Sequence, residues 1–252
     1  MCTVVLLRQP KDNWPLLIAA NRDEMAERSW DPPGRHWLNR ENVVAGIDHL
    51  GGGSWMGIND EGVVACILNR RDSLGSDPSL RSRGEIVLEA LDHADAVDAA
   101  EALTALDGRS YRSFNLMIGD NRDAFWLKSL GSAGNGNVVS TPIPEGISML
   151  TAYDLNDLSS NRIQFYKRKF EEANPPEIDS GNWEDWENLL ACTDYGENAD
   201  ARDSMRIVTE VGFGTLSSAL VALPSANQVS TKPIWLFANG PPGEVSFEAV
   251  DL

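Results

Sequence analysis

Cysteine is scarce in this chain of 252 residues: Cys2, Cys66 and Cys192 are the only three, and no two of them are spaced as CxxC. An odd and widely spaced set excludes a disulfide scaffold and a cysteine zinc site, and it favours a reducing compartment. Long apolar runs are also missing, since the first, Thr3–Leu7, ends at Arg8. Such a run is too short for a signal peptide or a membrane span, so we expect a soluble, cytoplasmic protein.

Positive charge is the second shortage. The 21 Lys and Arg residues face 38 Asp and Glu residues, which leaves a formal net charge of −17. This excess of negative charge repels polyanions and therefore excludes nucleic acid and anionic membrane surfaces as partners. The hydrophobic fraction of 42% is ordinary for a globular protein with a sizeable core. We expect a small-molecule partner, and the composition leaves the oligomeric state open.

Histidine is limited to three residues: His36, His49 and His93. A Cys–His catalytic dyad would have to use one of them, and His36 is the best placed. Nothing near His36 supplies an orienting Asp or Asn, so we interpret it as an exposed loop histidine. The one acidic cluster of that region, Asp23 with Glu24 and Glu27, is interpreted as a solvated surface, and no metal site is predicted.

The spacing of apolar residues alternates between strand-length runs and helical periods. Strands are predicted at 2–7, 16–21, 43–46, 54–59, 63–69, 114–119, 124–129, 138–141, 147–152, 215–223, 234–237 and 245–250, and helices at two places within 82–106, at 161–173 and at 183–191. Residues 21–40, rich in charges, prolines and tryptophans, are predicted to be a long binding loop. No linker or repeat divides the chain, so we predict one domain over 1–252. Its class is α+β, a four-layer αββα sandwich of two antiparallel sheets.

Cys2 is the first residue with distinctive chemistry. If Met1 is removed, the thiol and the free α-amine lie on one residue. An α-amine has a pKa near 8, so it can accept the thiol proton at neutral pH without a histidine. The predicted hairpin brings the polar segment Asn21–Glu24 close to this thiol. The alternatives are a small buried cysteine and an ordinary solvated turn.

The Asn-Arg-Asp-Glu sequence at Asn21–Glu24, behind a Met-Cys-Thr start, resembles the NRDE family, also known as the transport and Golgi organisation protein 2 family. The segment Gly52–Asn59 resembles that family's Gly-Gly-Thr-Trp-Leu-Gly stretch. Three shorter motifs also fall at family-like places: Ser82-Arg83-Gly84, Phe114-Asn115-Leu116 and Gly214-Thr215. The resemblance covers most of the chain and is densest over Cys2–Asn69.

The family in turn is similar to N-terminal-nucleophile hydrolases of the penicillin V acylase and bile salt hydrolase type. This resemblance implies that Cys2 attacks a carbonyl, that Asp23 orients the α-amine and that Arg22 favours the thiolate. It also implies that Asn69 donates to the oxyanion, although Asn69 could be an ordinary strand-end residue. The acylase arginine would fall at Ala20, two positions from Arg22 and therefore on the same side of a strand.

Two positions depart from the related sequences. Ala152 stands where the family often has asparagine, and Leu216 stands where it often has arginine after Gly-Thr. Asn156, Asn161 and Arg206 are candidate substitutes for these two side chains.

The predicted loop and its surroundings supply candidate ligand-binding residues: Asn21, Glu24, Trp30, His36, Trp37 and Trp55. The tryptophans could form an apolar pocket or anchor the loop. The leading hypothesis is a hydrolase of an amide or thioester bond in a small acyl compound, with no required cofactor. The alternative is a non-catalytic protein that binds or carries haem or an acyl lipid, where haem is implied by the resemblance alone. A third hypothesis is an interaction protein with a merely buried Cys2.

Overall fold

The computed structural model describes residues 2–73, 75 and 77–252. These residues form thirteen strands and four α-helices. The strands are β1 (Thr3–Arg8), β2 (Leu16–Met25), β3 (Trp30–Gly34), β4 (Val43–Asp48), β5 (Met56–Asn59), β6 (Val64–Asn69), β7 (Phe114–Gly119), β8 (Ala124–Ser129), β9 (Val138–Pro142), β10 (Gly146–Leu150), β11 (Phe213–Leu223), β12 (Ile234–Ala238) and β13 (Glu248–Ala249). The helices are α1 (Gly84–Ala90), α2 (Ala96–Thr104), α3 (Asn161–Glu172) and α4 (Glu184–Ala191).

The first of two compact units contains the residues up to Glu27 together with Pro144–Val250. Its sheet has the order β10-β1-β2-β11-β12-β13, and every neighbouring pair is antiparallel. Alternate residues of the strands, such as Val5 and Leu17, pack with Tyr166 of α3 and Trp186 of α4 in one buried cluster. The helices therefore cover one face of this sheet.

The second unit contains Arg28–Ile143 and the last two residues. Its seven strands, β3 to β9, follow one another in sequence order as an antiparallel meander. Residues of one face, such as Ala65 and Leu116, form a buried cluster with Leu91 and Ala99 from the α1 and α2 region. Consecutive antiparallel strands need no crossover, and only the connection from β6 to β7 is long, because it contains α1 and α2.

Two glycines of the Gly-Gly-Ser-Trp and Ser-Arg-Gly motifs allow α1 to approach the sheet. A Cβ placed on Gly53 would lie 2.3 Å from the carbonyl carbon of Gly84. No side chain fits at that distance, so the close approach requires glycine. The backbone N–H of Ser54 donates to the carbonyl oxygen of Gly84 at 3.1 Å, which fixes the contact.

The predicted class, α+β with two antiparallel sheets, is confirmed, and most elements lie where the sequence places them. The prediction of a continuous loop over residues 21–40 is wrong, because β2 continues to Met25 and β3 occupies Trp30–Gly34. The polar end of β2 stays in strand form because it pairs with β11, as far as Met25 opposite Phe213. A partner almost two hundred residues away is invisible to local patterns. The single-domain assignment stays a prediction.

Two further observations concern the ends of the sheet and the helix lengths. The last predicted strand, 245–250, is reduced to Glu248–Ala249. No helix among the residues that the structure describes has the length and apolar character needed to cross a bilayer.

Candidate functional site

Cys2 lies directly before β1. The start of β1 pairs with the C-terminal part of β2, where the β2 sequence becomes polar. Thr3 pairs with Asn21, so the register extended by one position places Cys2 opposite Arg22. Val5 and Leu7 belong to the cluster with α3 and α4, and side chains alternate along a strand. Cys2 and Arg22 therefore share the face away from the helices, whereas Thr3, Asn21 and Asp23 lie on the helix-covered face.

The carboxylate of Asp23 is held by two buried partners. Thr215 donates from Oγ1 to Asp23 Oδ1 at 2.6 Å, and Arg162 donates from Nη1 to Asp23 Oδ2 at 3.1 Å. The side chains of Arg162 and Asp23 are 1% and 0% exposed, so this ion pair is removed from solvent. Arg162 Nη1 also donates to Thr3 Oγ1 at 2.5 Å, and Nη2 donates to the carbonyl oxygen of Arg202 at 2.7 Å. One guanidinium thus joins β1, β2 and α3.

A bulge in β11 brings Thr215 to this position. Asn21 pairs with Ser218 and Arg22 with Ser217, but Asp23 pairs with Thr215, so one extra residue is inserted at Leu216. A regular register would have placed an aliphatic side chain opposite Asp23. The bulge instead places a hydroxyl there, which is a common use of bulges near functional sites.

The Cys2 thiol lies close to the backbone of Asp23, and its Sγ donates to the Asp23 carbonyl oxygen at 3.7 Å. Burial raises the pKa of the Cys2 thiol above its ordinary value, and the Asp23 carboxylate raises it further. Arg22, buried on the same face as Cys2, acts in the opposite direction and lowers that pKa. The net effect keeps sulfur in the neutral thiol form at neutral pH.

The other two residues of the Asn-Arg-Asp-Glu motif differ in their surroundings. The Asn21 amide donates to the carbonyl oxygens of Leu190 and Met205 at 3.0 and 2.9 Å, and it accepts from Ser218 Oγ at 2.6 Å. Both N–H donors of Asn21 are therefore used within the protein, which favours a structural role over the predicted ligand contact. Glu24 is half-buried and accepts from the backbone N–H of Met25 at 2.9 Å.

The aromatic candidates belong to the second unit. Trp30 and Trp55 form an edge-to-face pair with ring centroids 5.5 Å apart, and the Trp55 ring lies over Gly46. Trp37 packs against the core beside α1 and α2, as an anchor does. His36 contacts Trp37 edge-on, and its Nε2 lies 2.9 Å from the Pro32 carbonyl oxygen.

Asn69 is the last residue of β6 in the second unit, opposite Phe114 of β7. Alternation places it in the row of Ala65 and Ile67, which pack against the helix cluster. Asn115, from the Phe-Asn-Leu motif, is fully buried and accepts from Arg70 Nη1 at 2.6 Å and from Trp126 Nε1 at 3.1 Å. The oxyanion role of Asn69 stays a prediction.

The three candidate substitutes for the missing asparagine and arginine have other partners. Asn156 accepts from the backbone N–H of Met149, Asn161 donates to Asp203 and Arg206 donates to the carbonyl oxygen of Pro242, all within 3.1 Å. Ala152 is buried, and Leu216 lies at the bulge. Besides Arg22, the arginine that contacts the site is Arg162, next to Asn161.

Sequence reasoning missed Arg162 and the roles of Thr3 and Thr215. A signal for Arg162 was present, because it lies four residues before Tyr166 and eight before Phe170 on the buried stripe of α3. An arginine in line with such a stripe must be paired when it is buried. Thr3 and Thr215 lie within motifs of the resemblance, but only the register shows that both face Asp23's side of the sheet.

The three cysteines form no disulfide, and Cys66 is buried in β6. The described residues contain no group of three or more His, Cys, Asp or Glu side chains that could hold a metal ion.

Two mammalian proteins share part of this sequence. The chain is 28% identical over 127 residues to the mouse Transport and Golgi organization 2 homolog, and 29% identical over 130 residues to the bovine Transport and Golgi organization protein 2 homolog. Each match covers 48% of this chain and 45% of the relative, so the aligned part spans about half the length of these curated relatives.

Three solved structures have a similar fold at 12–14% identity. A Caenorhabditis elegans N-acylethanolamine-hydrolyzing acid amidase ortholog aligns with a TM-score of 0.57 over 87% of this chain and 92% of its own. Penicillin V acylase from Agrobacterium tumefaciens aligns with a TM-score of 0.54 over 95% of this chain and 83% of its own. A mutant conjugated bile acid hydrolase from Clostridium perfringens aligns with a TM-score of 0.55 over 100% of this chain and 92% of its own. The predicted N-terminal-nucleophile hydrolase-like fold is confirmed.

The sequence model of the Transport and Golgi organisation 2 family matches residues 1–231, nearly the whole chain. The protein therefore belongs to the Transport and Golgi organisation 2 family.

Proposed function

We propose that this protein is a hydrolase that uses Cys2 to cleave an amide or thioester bond in a small, partly apolar acyl compound. The observation that carries the proposal is the position of Cys2. Its thiol lies at a strand end and donates to the Asp23 carbonyl oxygen, while the Asp23 carboxylate is fixed by Thr215 and Arg162. Buried charge of this kind is costly unless it is completely paired. A buried network directly behind a strand-end thiol is the arrangement that a positioned nucleophile needs.

The raised pKa of the Cys2 thiol fits a mechanism in which the proton leaves during attack. As the sulfur bonds to the carbonyl carbon, its proton passes to the α-amine that removal of Met1 would expose. The α-amine then protonates the leaving amine or thiol as the C–N or C–S bond breaks, which leaves an acyl thioester on Cys2. Water attacks this thioester, the acid is released, and the thiol regains a proton through the α-amine. Met1 lies outside the described residues, so its removal is part of the proposal.

The names of proteins with similar folds and the charge of this protein support the proposed substrate class. The three fold relatives are named for hydrolysis of N-acylethanolamines, for acylase activity on penicillin V and for hydrolysis of conjugated bile acids. All three names describe cleavage at an acyl group. The net charge of −17 disfavours polyanionic substrates, so we propose small amides or thioesters with an apolar acyl part.

The experiment combines intact mass, thiol labelling and turnover. Protein purified from cells is weighed, labelled with iodoacetamide at neutral pH, and assayed with medium-chain acyl amides and acyl thioesters. We expect the mass to lack Met1, and Cys2→Ala to abolish turnover without lowering the melting temperature. Cys192→Ala, in the segment after α4, is the matched control and should retain turnover. Asn69→Ala should lower kcat if its amide donates to the oxyanion.

Retained Met1 together with no turnover of either substrate class would contradict the hydrolase proposal. Loss of folding in Cys2→Ala would instead identify Cys2 as a buried structural residue.

A second proposal is a non-catalytic protein that binds an acyl lipid or haem. The same raised pKa of Cys2 favours it, because a neutral thiol without a nearby base reacts slowly. Two of the three histidines suit haem poorly, since His36 Nε2 is within hydrogen-bond distance of the Pro32 carbonyl oxygen and His49 Nε2 lies 2.9 Å from Asp31 Oδ2. An acyl ligand is therefore the better candidate. Titrations with a fatty acyl thioester and with haem test it, and binding that survives Cys2→Ala without any turnover would support this second function.

A further inference from the structure

Arg162 is one of the largest completely buried side chains, with 1% exposure, yet it occupies a helix face where an apolar residue would pack. Tyr166 and Phe170 continue the same stripe of α3. Burying a guanidinium costs free energy unless the charge is paired, so the hydrogen-bond partners of Arg162 indicate its role. The Arg162 guanidinium donates hydrogen bonds to Thr3 Oγ1, Asp23 Oδ2 and the carbonyl oxygen of Arg202.

Two of these three contacts flank Cys2 directly. Thr3 follows Cys2 in the chain, and Asp23 provides the carbonyl oxygen to which the Cys2 thiol donates. The guanidinium therefore connects Thr3, which follows Cys2, with Asp23, whose backbone carbonyl oxygen accepts the hydrogen bond from Cys2. Arginine suits this task because its planar fork presents several donors at fixed angles, which lysine does not.

We propose that Arg162 is a positioning residue for Cys2, which fixes Thr3 and Asp23 around the nucleophile and offsets the negative charge of Asp23. The inference rests on the proposed function, in which Cys2 is the nucleophile, and extends it to a residue on another element. Arg162 acts through its neighbours and does not touch the reacting atoms.

The charges near the thiol set the direction in which its pKa should change when Arg162 is replaced. The charged groups around the thiol are the N-terminal amine, then Asp23 and Arg22 from β2, with Arg162 from α3 behind Asp23. Strand β11 contributes the uncharged Thr215 and Ser217. The Asp23 carboxylate raises the pKa of the Cys2 thiol, and a guanidinium 3.1 Å from that carboxylate weakens its field. A neutral residue at position 162 removes one of the positive charges that oppose the field of Asp23, so the thiol should become harder to ionise.

The test measures the rate of Cys2 alkylation by iodoacetamide against pH, read from the mass of the Cys2 peptide. Arg162→Gln removes the charge and keeps hydrogen-bond donors, Arg162→Lys keeps the charge, and Arg168→Gln is the matched control. Arg168 lies on the same helix but is 81% exposed and pairs with Glu172. Circular dichroism and a melting curve confirm that each variant is folded.

We expect Arg162→Gln to raise the apparent pKa of the Cys2 thiol by about half a unit or more, so that alkylation at neutral pH slows roughly threefold or more. Arg162→Lys loses the planar fork but keeps the charge that offsets Asp23, so it should shift the thiol pKa by less than half a unit. Arg168→Gln should keep the wild-type pH profile. A folded Arg162→Gln protein with the wild-type profile would overturn the proposal. If Arg162→Gln does not fold, Arg162→Lys decides alone, since a thiol pKa shifted by half a unit despite the retained charge would also overturn it.

Alkylation requires no substrate, so this test is independent of turnover. A wild-type protein that hydrolyses nothing would refute the proposed function, whereas an unaltered Cys2 profile in Arg162→Gln would refute only the role of Arg162.

Discussion

The buried pair of Asp23 and Arg162 gives a prediction of stability that can be tested by a double-mutant cycle. The three variants are Asp23→Asn, Arg162→Met and the double variant. Each single change leaves one charged partner inside the first unit, where the side chains are 0% and 1% exposed. The double change leaves an amide and a thioether, so neither charge stays buried without its partner.

The expected magnitudes follow from that burial. Breaking a buried ion pair by removing one partner costs about 3–5 kcal/mol, so each single variant should lose this much free energy of unfolding. For a chain of this size that corresponds to a fall of roughly 6–20 °C in the melting temperature. The double variant should lose clearly less than the sum of the two, with a coupling energy of about 1–3 kcal/mol. Arg162→Met also removes the hydrogen bonds to Thr3 and to the carbonyl oxygen of Arg202, but this loss is common to the single and the double variant and cancels in the coupling energy.

The assay is urea unfolding followed by tryptophan fluorescence at neutral pH, with Arg168→Met and Glu172→Gln on the exposed side of α3 as the parallel cycle. That exposed cycle should show no coupling beyond the error of measurement, because solvent screens the pair. Single losses that are small and simply add in the double variant would refute the view that Asp23 and Arg162 form one buried unit.

Two further predictions concern other buried positions. Burial raises the pKa of Tyr111 to about 12, from an ordinary value of 10, and among the described residues its hydroxyl has no hydrogen-bond partner. A raised folded-state pKa means that stability is complete below about pH 10 and falls between about pH 10 and 12, so Tyr111→Phe should remove this alkaline loss and leave stability at neutral pH equal or higher. Urea unfolding at both pH values and the tyrosinate absorbance measure it, and an equal alkaline loss in the variant would contradict it. Gly53→Ala should cost about 1–3 kcal/mol, because the new Cβ would lie 2.3 Å from the backbone of Gly84. An unchanged urea midpoint for this variant would show that α1 can retreat from the sheet.

The sequence predicted the elements whose patterns are local. Strands such as β6 and helices such as α3 are visible because one face of each is buried, which imposes a period on the apolar residues. Ser160 marks the start of α3 as an N-cap, and its hydroxyl accepts from the backbone N–H of Ile163. The position of Cys2 next to Asn21–Glu24 was also predictable, since β1 and β2 are consecutive strands joined as a hairpin.

The network behind Cys2 could not be read in the same way. Asp23 meets Thr215 because of a one-residue bulge in β11, and it meets Arg162 because α3 packs on the same face of the sheet. Thr215 and Arg162 are separated from Asp23 by 192 and 139 residues, and no local propensity encodes contacts over such separations. The same holds for the extension of β2 to Met25, which depends on pairing with Phe213.

The sequence by itself therefore determined which residues near the N-terminus are candidates for chemistry, because their types and short-range spacing are properties of neighbouring positions. The tertiary structure decided how those residues are charged and oriented. Burial raises the pKa of Cys2, a bulge selects the hydroxyl of Thr215, and α3, which is distant in sequence, supplies the guanidinium of Arg162. Dielectric surroundings and long-range contacts exist only after the chain has folded.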